Sequence, residues 1–142
     1  MIVAIATGGF DPVHSGHIDY LNRAKNVADY LVVGLNSDEW LTRKKGKPFM
    51  PFSERFSVIS NLKAVDWVLA IDDADDTALD AIYQSRAMFP TARLIFANGG
   101  DRTKENIPEM SSGDTNIEFM FGVGGENKKN SSRWILENWN KN

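Results

Sequence analysis

Five short stretches of the chain are almost continuously apolar and partly β-branched. They are Ile2–Thr7, Tyr30–Leu35, Trp67–Ile71, Arg93–Ala97 and Ile117–Phe121. Runs of this kind are typical of strands that are covered on both faces of a parallel sheet. We therefore expect five parallel strands, with Trp67 as a core residue of the third.

Between these stretches, apolar residues recur every three or four positions, which predicts helices. The first helix is expected at roughly Ser15–Ala28, and the later ones carry the sets Phe56, Ile59 and Leu62; Ala78, Ile82 and Met88; and Trp134, Ile135 and Trp139. Alternating strands and helices imply right-handed crossovers. The pattern predicts one α/β domain over residues 1–142, with a doubly wound, Rossmann-like, five-stranded parallel sheet flanked by helices.

Two polar segments, Thr42–Ser53 and Gly99–Asn116, are predicted loops. The acidic run Asp72–Asp76 follows the third strand. We interpret it as a solvated loop whose carboxylates lie near a helix N-terminus, in preference to a metal site.

Composition excludes several classes of protein. The chain has 142 residues and no cysteine, so it carries no disulfide, thiol nucleophile or cysteine-ligated metal. A net charge of -3 argues against binding long nucleic acid. There is no apolar run of about 18 residues for a membrane span, and the apolar start at Ile2 lacks the basic segment of a signal peptide. We therefore expect a cytoplasmic protein that binds neither nucleic acid nor membrane.

The densest chemistry lies between the first strand and the first helix, in the segment Thr7–His17. Gly8 and Gly9 allow the backbone to approach a phosphate, and the following helix start offers unpaired N–H groups to an anion. His14 and His17 lie three positions apart, so both side chains can face one point. Three interpretations stay open: capping and packing histidines, metal ligands together with Asp11, or donors that grip a phosphate. We favour the phosphate grip.

The run Gly8-Gly9-Phe10-Asp11-Pro12-Val13-His14-Ser15-Gly16-His17 resembles the G-x-F-D-x-x-H-x-G-H motif of the HxGH-type nucleotidyltransferase superfamily, which contains the cytidylyltransferases. Further stretches are similar to family elements, and together they cover residues 3 to about 135. They are Asn36–Glu39, Phe52–Arg55, Val65–Val68, Asn98–Asp101 and Asn130–Ser132.

The resemblance implies an enzyme that joins the α-phosphate of an NTP to a phosphorylated alcohol and releases pyrophosphate. It implies catalytic roles for His14, His17, Lys44 and Arg55, and Mg²⁺ that arrives with the NTP. A solvated basic loop is the alternative for Lys44 and Lys47. For Arg55 the alternative is an ion pair with Glu54 or Asp66, and we interpret Asp66 itself as structural.

The resemblance also implies binding residues and a homodimer. The nucleotide-binding set is Thr7, Gly8, Gly9, Phe10, Asp11, Gly16, Asn98, Gly99, Gly100, Asp101, Lys128, Ser131 and Ser132. The set expected to bind the phosphorylated acceptor is Asp38, Lys47 and Arg102.

Departures from the family pattern affect the choice of substrates. Where cytidylyltransferases of the glycerol-3-phosphate type carry an arginine, this chain has Glu126, and Lys128 or Lys129 would have to replace the charge. The turn that begins with Gly99-Gly100-Asp101 is closer to heptose-phosphate adenylyltransferases. We expect CTP, narrowly ahead of ATP, and a small phosphorylated polyol or sugar as acceptor. The alternatives are an adenylyltransferase that uses ATP on a sugar phosphate, or a non-catalytic nucleotide-binding module.

Overall fold

The computed structural model describes residues 1–99, 107–123 and 131–140. Seven of the residues named above therefore lie outside the described part of the chain. They are Gly100, Asp101, Arg102, Glu126, Lys128, Lys129 and Asn130.

The described residues form one parallel sheet of five strands, in the spatial order β3-β2-β1-β4-β5. The strands are β1 (Ile2–Gly8), β2 (Tyr30–Leu35), β3 (Trp67–Ala70), β4 (Arg93–Gly99) and β5 (Ile117–Val123). The five-stranded parallel sheet predicted from the apolar runs is confirmed.

Five α-helices and one short 3₁₀ helix connect or follow these strands in the described ranges. They are α1 (Ser15–Asn26), α2 (Asp38–Lys45), α3 (Phe52–Ser60), α4 (Leu79–Met88), the 3₁₀ helix Pro108–Ser111 and α5 (Ser132–Asn140). The predicted loop Thr42–Ser53 is wrong in part, because its first residues belong to α2. That helix is capped by the Ser37 hydroxyl and has acidic residues in its first turn and basic residues in its last. These features suit the helix dipole but produce no apolar periodicity.

Helices cover both faces of the sheet and form two apolar clusters. On one face, Leu21 of α1 and Ile59 of α3 pack against strand residues such as Val33. On the other face, Ile82 of α4 packs against residues such as Ile5. The doubly wound α/β arrangement is thus confirmed.

Trp67 is an exception to the expected core. It begins the edge strand β3 and is 41% exposed. Its ring contacts Tyr30 and Phe89 at centroid distances of 5.5 and 5.4 Å. The prediction of a core tryptophan was wrong because the edge strand is covered less completely than the strands inside the sheet.

The strand order creates a crevice at the carboxyl end of the sheet. From central β1 the chain builds β2 and β3 on one side, and then β4 and β5 on the other. Ligands of open α/β sheets bind at such a reversal point, beyond the carboxyl ends of the two diverging strands. Here those strands are β1 and β4. No helix within the described ranges is both long enough and apolar enough to cross a bilayer.

Candidate active site

The two histidines begin α1 as an interlocked pair. The Nδ1 atom of His14 accepts a hydrogen bond from the backbone N–H of Gly16 at 3.1 Å. The Nδ1 atom of His17 accepts one from the backbone N–H of His14 at 3.3 Å. Their rings stack with centroids 3.8 Å apart and planes inclined by 24°. One nitrogen of each ring, Nδ1, therefore has the capping role that was one of the three interpretations of these histidines.

The second nitrogen of each ring, Nε2, is a hydrogen-bond donor. Since both Nδ1 atoms accept, the neutral rings carry their proton on Nε2, which makes Nε2–H a donor in each. Burial lowers the pKa of His14. Burial, followed by the charge of His14, lowers the pKa of His17 to about 3. At neutral pH the pair thus presents two uncharged imidazole donors.

The glycines of the motif loop are tightly enclosed. A Cβ at Gly8 would lie 3.2 Å from the ring of Phe10, and a Cβ at Gly9 would lie 2.9 Å from Leu41 Cδ2. Phe10 is 3% exposed and its ring meets His17 edge-on at 4.8 Å. Packing therefore gives a reason for both glycines in addition to the predicted approach of a phosphate.

The other side of the crevice is formed by the end of β4. Asn98 is buried, and its side-chain amide donates to the Met120 carbonyl at 3.4 Å. Gly99 lies under the ring of Tyr20, whose edge a Cβ would approach within 3.1 Å. The Tyr20 hydroxyl donates to the Ala97 carbonyl at 2.5 Å. Helix α1 is therefore fastened to the end of β4, beside the motif loop.

The start of α5 joins the same loop. The Ser132 hydroxyl donates to the Pro12 carbonyl at 2.6 Å. The Ser131 hydroxyl accepts from the Trp134 backbone N–H at 3.0 Å and caps the helix. The structure thus brings Ser132 to the motif loop, although 120 residues separate it from Pro12, and Ser131 precedes it as the cap of the helix.

The predicted lysines lie on or just after α2. Lys44 is exposed and belongs to the last turn of the helix, while Lys47 is exposed beyond its end. The ammonium of Lys44 lies 4.6 Å from the centroid of the Trp40 ring. That ring in turn borders the motif loop, since a Cβ at Gly9 would lie 3.6 Å from it.

Arg55 has a different environment from the one expected of a phosphate ligand. Its side chain is 0% exposed and pairs with Asp38 at 2.7 Å. The same guanidinium donates to three backbone carbonyls: Gly9 at 3.0 Å, Asn36 at 2.7 Å and Met50 at 2.9 Å. Direct contact with a ligand does not fit this burial, and Arg55 acts as a cross-link instead.

The two alternative partners of Arg55 are not the ones observed. Asp66 instead accepts from the Lys25 ammonium at 2.5 Å and from the Leu31 backbone N–H at 2.8 Å. The structural interpretation of Asp66 is confirmed. The partner of Arg55 is Asp38, which was expected to bind the acceptor and whose side chain is 38% exposed.

Asp11 is also buried, with 3% of its surface exposed. Its two carboxylate oxygens accept from the backbone N–H groups of Phe49 at 2.7 Å and Met50 at 2.6 Å. The Lys45 ammonium pairs with it at 2.6 Å. A nucleotide contact through this carboxylate does not fit the geometry, because both oxygens already have protein partners.

Sequence reasoning missed Asp73, which lies in the acidic run expected to be solvated. Asp73 is 4% exposed and accepts from the Asn36 side chain at 3.0 Å, the Ser37 backbone at 2.8 Å and the Ser37 hydroxyl at 2.7 Å. Burial on its own would raise the pKa of Asp73, but hydrogen bonds from Ser37 and Asn36 outweigh it and lower the pKa. No sequence signal distinguishes Asp73 from its acidic neighbours.

Metal ligands were one interpretation of the motif. Within residues 1–99, 107–123 and 131–140, no three His, Cys, Asp or Glu side chains come together as a metal site. The carboxylate of Asp11 is moreover committed to backbone amides and Lys45. The described part of the chain therefore gives no support for a cage of protein ligands around a metal.

Comparison with known proteins agrees with these features. Residues 5–114 match the family model described as cytidylyltransferase-like. The bifunctional protein HldE of Hahella chejuensis is 34% identical over 126 residues, which are 87% of this chain and 23% of that protein. HldE of Pelobacter propionicus is 32% identical over 142 residues, covering 96% of this chain and 28% of its own. The chain thus spans about a quarter of the length of these curated relatives.

A solved structure extends the match to three dimensions. The crystal structure of a lipopolysaccharide core biosynthesis protein from Thermoplasma volcanium superposes with a TM-score of 0.65 at 26% identity, covering 92% of this chain and 99% of that one. The resemblance noted in the sequence is confirmed: this chain belongs to the cytidylyltransferase-like family of nucleotidyltransferases.

Proposed function

We propose that this chain transfers a nucleotidyl group from an NTP to a small phosphorylated sugar and releases pyrophosphate. The observation that carries the proposal is the pair of neutral, stacked imidazoles at the start of α1. They lie at the N-terminus of α1, just after the loop that follows β1, at the reversal point of the sheet, where ligands of this fold class bind. Their Nδ1 atoms are held by backbone amides, so that Nε2–H of each ring is the group offered to a ligand.

The chemistry requires positioning and charge stabilisation more than a base. A phosphate oxygen of the acceptor forms a bond to the α-phosphorus of the NTP, while the bond to the β-phosphate breaks and pyrophosphate leaves with the electron pair. Negative charge spreads over the phosphate oxygens during this in-line exchange. Nε2–H donors of His14 and His17, fixed before the reaction, would stabilise that charge without reorganising.

Other groups are proposed to complete the site. Lys44 would supply positive charge to the α-phosphate from the end of α2. Ser131, Ser132 and Lys128 would contact the outer phosphates at the start of α5. The remaining nucleotide contacts proposed from the resemblance are Thr7, Gly8, Gly9, Phe10, Gly16, Asn98, Gly99, Gly100 and Asp101, and Lys47, Asp38 and Arg102 would face the acceptor.

Mg²⁺ is proposed to arrive bound to the triphosphate. Mg²⁺ is commonly held by substrate phosphates and waters, with few protein ligands. When bound it would neutralise part of the phosphate charge. The chain's own contribution is the set of neutral and cationic donors described above.

We propose ATP as the donor and a sugar phosphate as the acceptor, although the sequence slightly favoured CTP. Glu126 replaces the arginine of the glycerol-3-phosphate type, and Gly99-Gly100-Asp101 resembles the heptose-phosphate adenylyltransferases. The HldE proteins match 87% and 96% of this chain. The Thermoplasma volcanium neighbour is named for lipopolysaccharide core biosynthesis, which supports a sugar substrate over a simple polyol.

The test is pyrophosphate release with ATP or CTP against a panel of sugar and polyol phosphates, including glycerol 3-phosphate. We expect turnover with ATP and a sugar phosphate, and a product whose mass equals the nucleoside diphosphate sugar. Turnover with CTP and glycerol 3-phosphate alone would overturn the choice of substrates. Nucleotide binding without pyrophosphate release from any pair would favour the non-catalytic module. Light scattering of the same preparation would test the homodimer implied by the resemblance.

A further inference from the structure

Helix α2 is fastened to the motif loop at its C-terminal end by Asp11. The Lys45 ammonium lies 2.6 Å from the Asp11 carboxylate and also donates to the Asp11 carbonyl at 2.7 Å. The same carboxylate accepts from the N–H groups of Phe49 and Met50. One side chain in the motif loop therefore holds both the last turn of α2 and the segment that follows it.

The carboxylate of Asp11 is enclosed by its partners. Its side chain is 2% exposed, while that of Lys45 is 28% exposed. A buried carboxylate is stable in its charged form only where donors surround it, and losing one of them leaves an uncompensated charge. These bonds therefore resist separation of the loop from α2 more strongly than an exposed ion pair would.

A second buried group fastens the other end of the helix. Arg55 pairs with Asp38, the first residue of α2, and donates to the Gly9 carbonyl of the motif loop. Arg55 also donates to the carbonyl of Met50, whose N–H donates to Asp11. Both ends of α2 are thus tied to the loop that carries the histidines.

Lys44 lies between these two attachments. It precedes Lys45 in the last turn of α2, and its ammonium lies over the Trp40 ring, which borders Gly9. Because the Lys45 side chain is held to the motif loop directly, and the Asp38 side chain through Arg55, the turn of α2 from which Lys44 extends is held near that loop.

We propose that Asp11 is a positioning residue, which holds α2 against the motif loop and so places Lys44 beside His14 and His17 without touching the nucleotide itself. The catalytic consequence rests on the proposed function, whereas the attachment of the segment does not. Where the sequence predicted a loop over Thr42–Ser53, the structure has the end of α2 and a segment whose Phe49 and Met50 donate to Asp11 in the motif loop.

The first experiment measures attachment. In Asp11→Asn the side chain keeps its size but loses the charge and one acceptor. The matched control is Asp114→Asn, which changes a buried carboxylate in an ion pair with Arg86 elsewhere in the fold. Under native conditions, we expect chymotrypsin to cleave after Phe49, which is 56% exposed and whose N–H donates to Asp11, about tenfold faster in Asp11→Asn, corresponding to about one lost buried hydrogen bond. We expect the rate in Asp114→Asn to stay within twofold of the wild type, with global unfolding measured in parallel for each variant.

The second experiment is a double-mutant cycle with Lys44→Ala, read out as kcat and KM for nucleotide transfer. We expect Asp11→Asn to lower kcat about tenfold in the wild-type background and by less than twofold when Lys44 is already alanine.

Lys45→Met serves as a second variant, because it leaves the hydrogen bonds from the two backbone amides to Asp11 in place and perturbs the fold less. We expect it to change cleavage and kcat in the same direction by a smaller factor.

The outcomes separate the two proposals. Equal losses of kcat with and without Lys44 would overturn the positioning role, as would unchanged cleavage in both Asp11→Asn and Lys45→Met. If the wild-type chain transfers no nucleotide, the proposed function fails. Faster cleavage in Asp11→Asn alone would then still support the attachment, and unchanged cleavage would refute it.

Discussion

At both ends of its sheet the structure contains ion pairs in which one partner is largely buried and the other is partly exposed. At the carboxyl end, Asp11 pairs with Lys45, and Arg55 pairs with Asp38. At the amino end, Arg86 holds Asp114 with two bonds of 2.7 and 2.9 Å. Arg86 also donates to backbone carbonyls that precede β4 and β5, those of Phe89, Pro90, Ala92 and Asn116.

The two clusters use the same chemistry but join different parts of the molecule. All partners of Arg86 lie in the turns that lead into two neighbouring strands, so this cluster secures the start of the strands. The partners of Arg55 are Asp38 at the start of α2 and three carbonyls, which lie in the motif loop, in the turn after β2 and in the segment before α3. The same kind of ion pair thus serves stability at one end of the sheet and, in the positioning role proposed for Asp11, the placement of site groups at the other.

The largest effect is expected from the histidines at the carboxyl end. His14→Ala and His17→Ala should each lower kcat by about 10²–10³, the usual cost of removing one preorganised donor to transition-state charge. The measurement is pyrophosphate release from variants whose folding is verified by circular dichroism. A folded variant with near-wild-type turnover would remove that histidine from the site.

Breaking the cluster at the amino end should affect stability instead. Arg86→Met leaves the buried Asp114 carboxylate without its cation, which we expect to cost about 3 kcal/mol of unfolding free energy. This is the low end of the range for buried pairs, since the Arg86 side chain is 25% exposed. Urea unfolding measures the loss, and kcat at low temperature should stay within twofold of the wild type. A large fall in kcat of the folded variant would contradict the proposed division between the two ends.

Acid should weaken the two ends in different pH windows. Burial lowers the pKa of His17 in the folded state to about 3, whereas in the unfolded state it is about 6.5. As the pH falls below about 6.5, the unfolded state therefore takes up a proton on His17 that the folded state does not, and the free energy of unfolding decreases. The slope from this one group is at most about 1.4 kcal/mol per pH unit. Hydrogen bonding to Arg86 lowers the pKa of Asp114, so its contribution is present above the unfolded pKa of about 3.9 and is lost as pH falls through the folded pKa.

Urea unfolding between pH 7.5 and 3 tests both statements. His17→Gln should remove part of the decline between pH 6.5 and 4, and Asp114→Asn should change the decline only below about pH 4. Identical pH profiles for His17→Gln and the wild type would show that His17 is not kept neutral by burial.

The parts of the molecule that sequence predicted are those encoded by local patterns. Each strand was located within two residues, because a run of apolar side chains identifies a buried strand by itself. Helix α2 was not recognised, since Leu41 is its only buried residue and its polar sequence has no apolar stripe. Its signals were instead the Ser37 cap and the order of charges along it.

For a related reason, the sequence predicted the roles of some residues of the candidate site and not of others. The motif identified the histidines, whose contacts lie within three residues of each other. Asp11 and Arg55 have partners 38 and 46 residues away, and no local pattern indicates such pairs. By residue type, Asp11 fitted a metal or nucleotide site and Arg55 fitted a phosphate site, and only the fold shows that their polar atoms bind other parts of the protein.

The smallest expected effect concerns the hydrogen bond that joins α5 to the motif loop. Ser132→Ala removes the bond to the Pro12 carbonyl, worth about 0.5–1.5 kcal/mol, and frees the start of α5 from the loop. We expect KM for the nucleotide to rise about fivefold, equivalent to about 1 kcal/mol, with kcat within twofold. The matched control is Ser111→Ala, because Ser111 makes a similar bond to the Pro108 carbonyl at 2.7 Å within a single short helix. That control should leave KM unchanged, and an equal KM for Ser132→Ala and the wild type would show that the start of α5 takes no part in nucleotide binding.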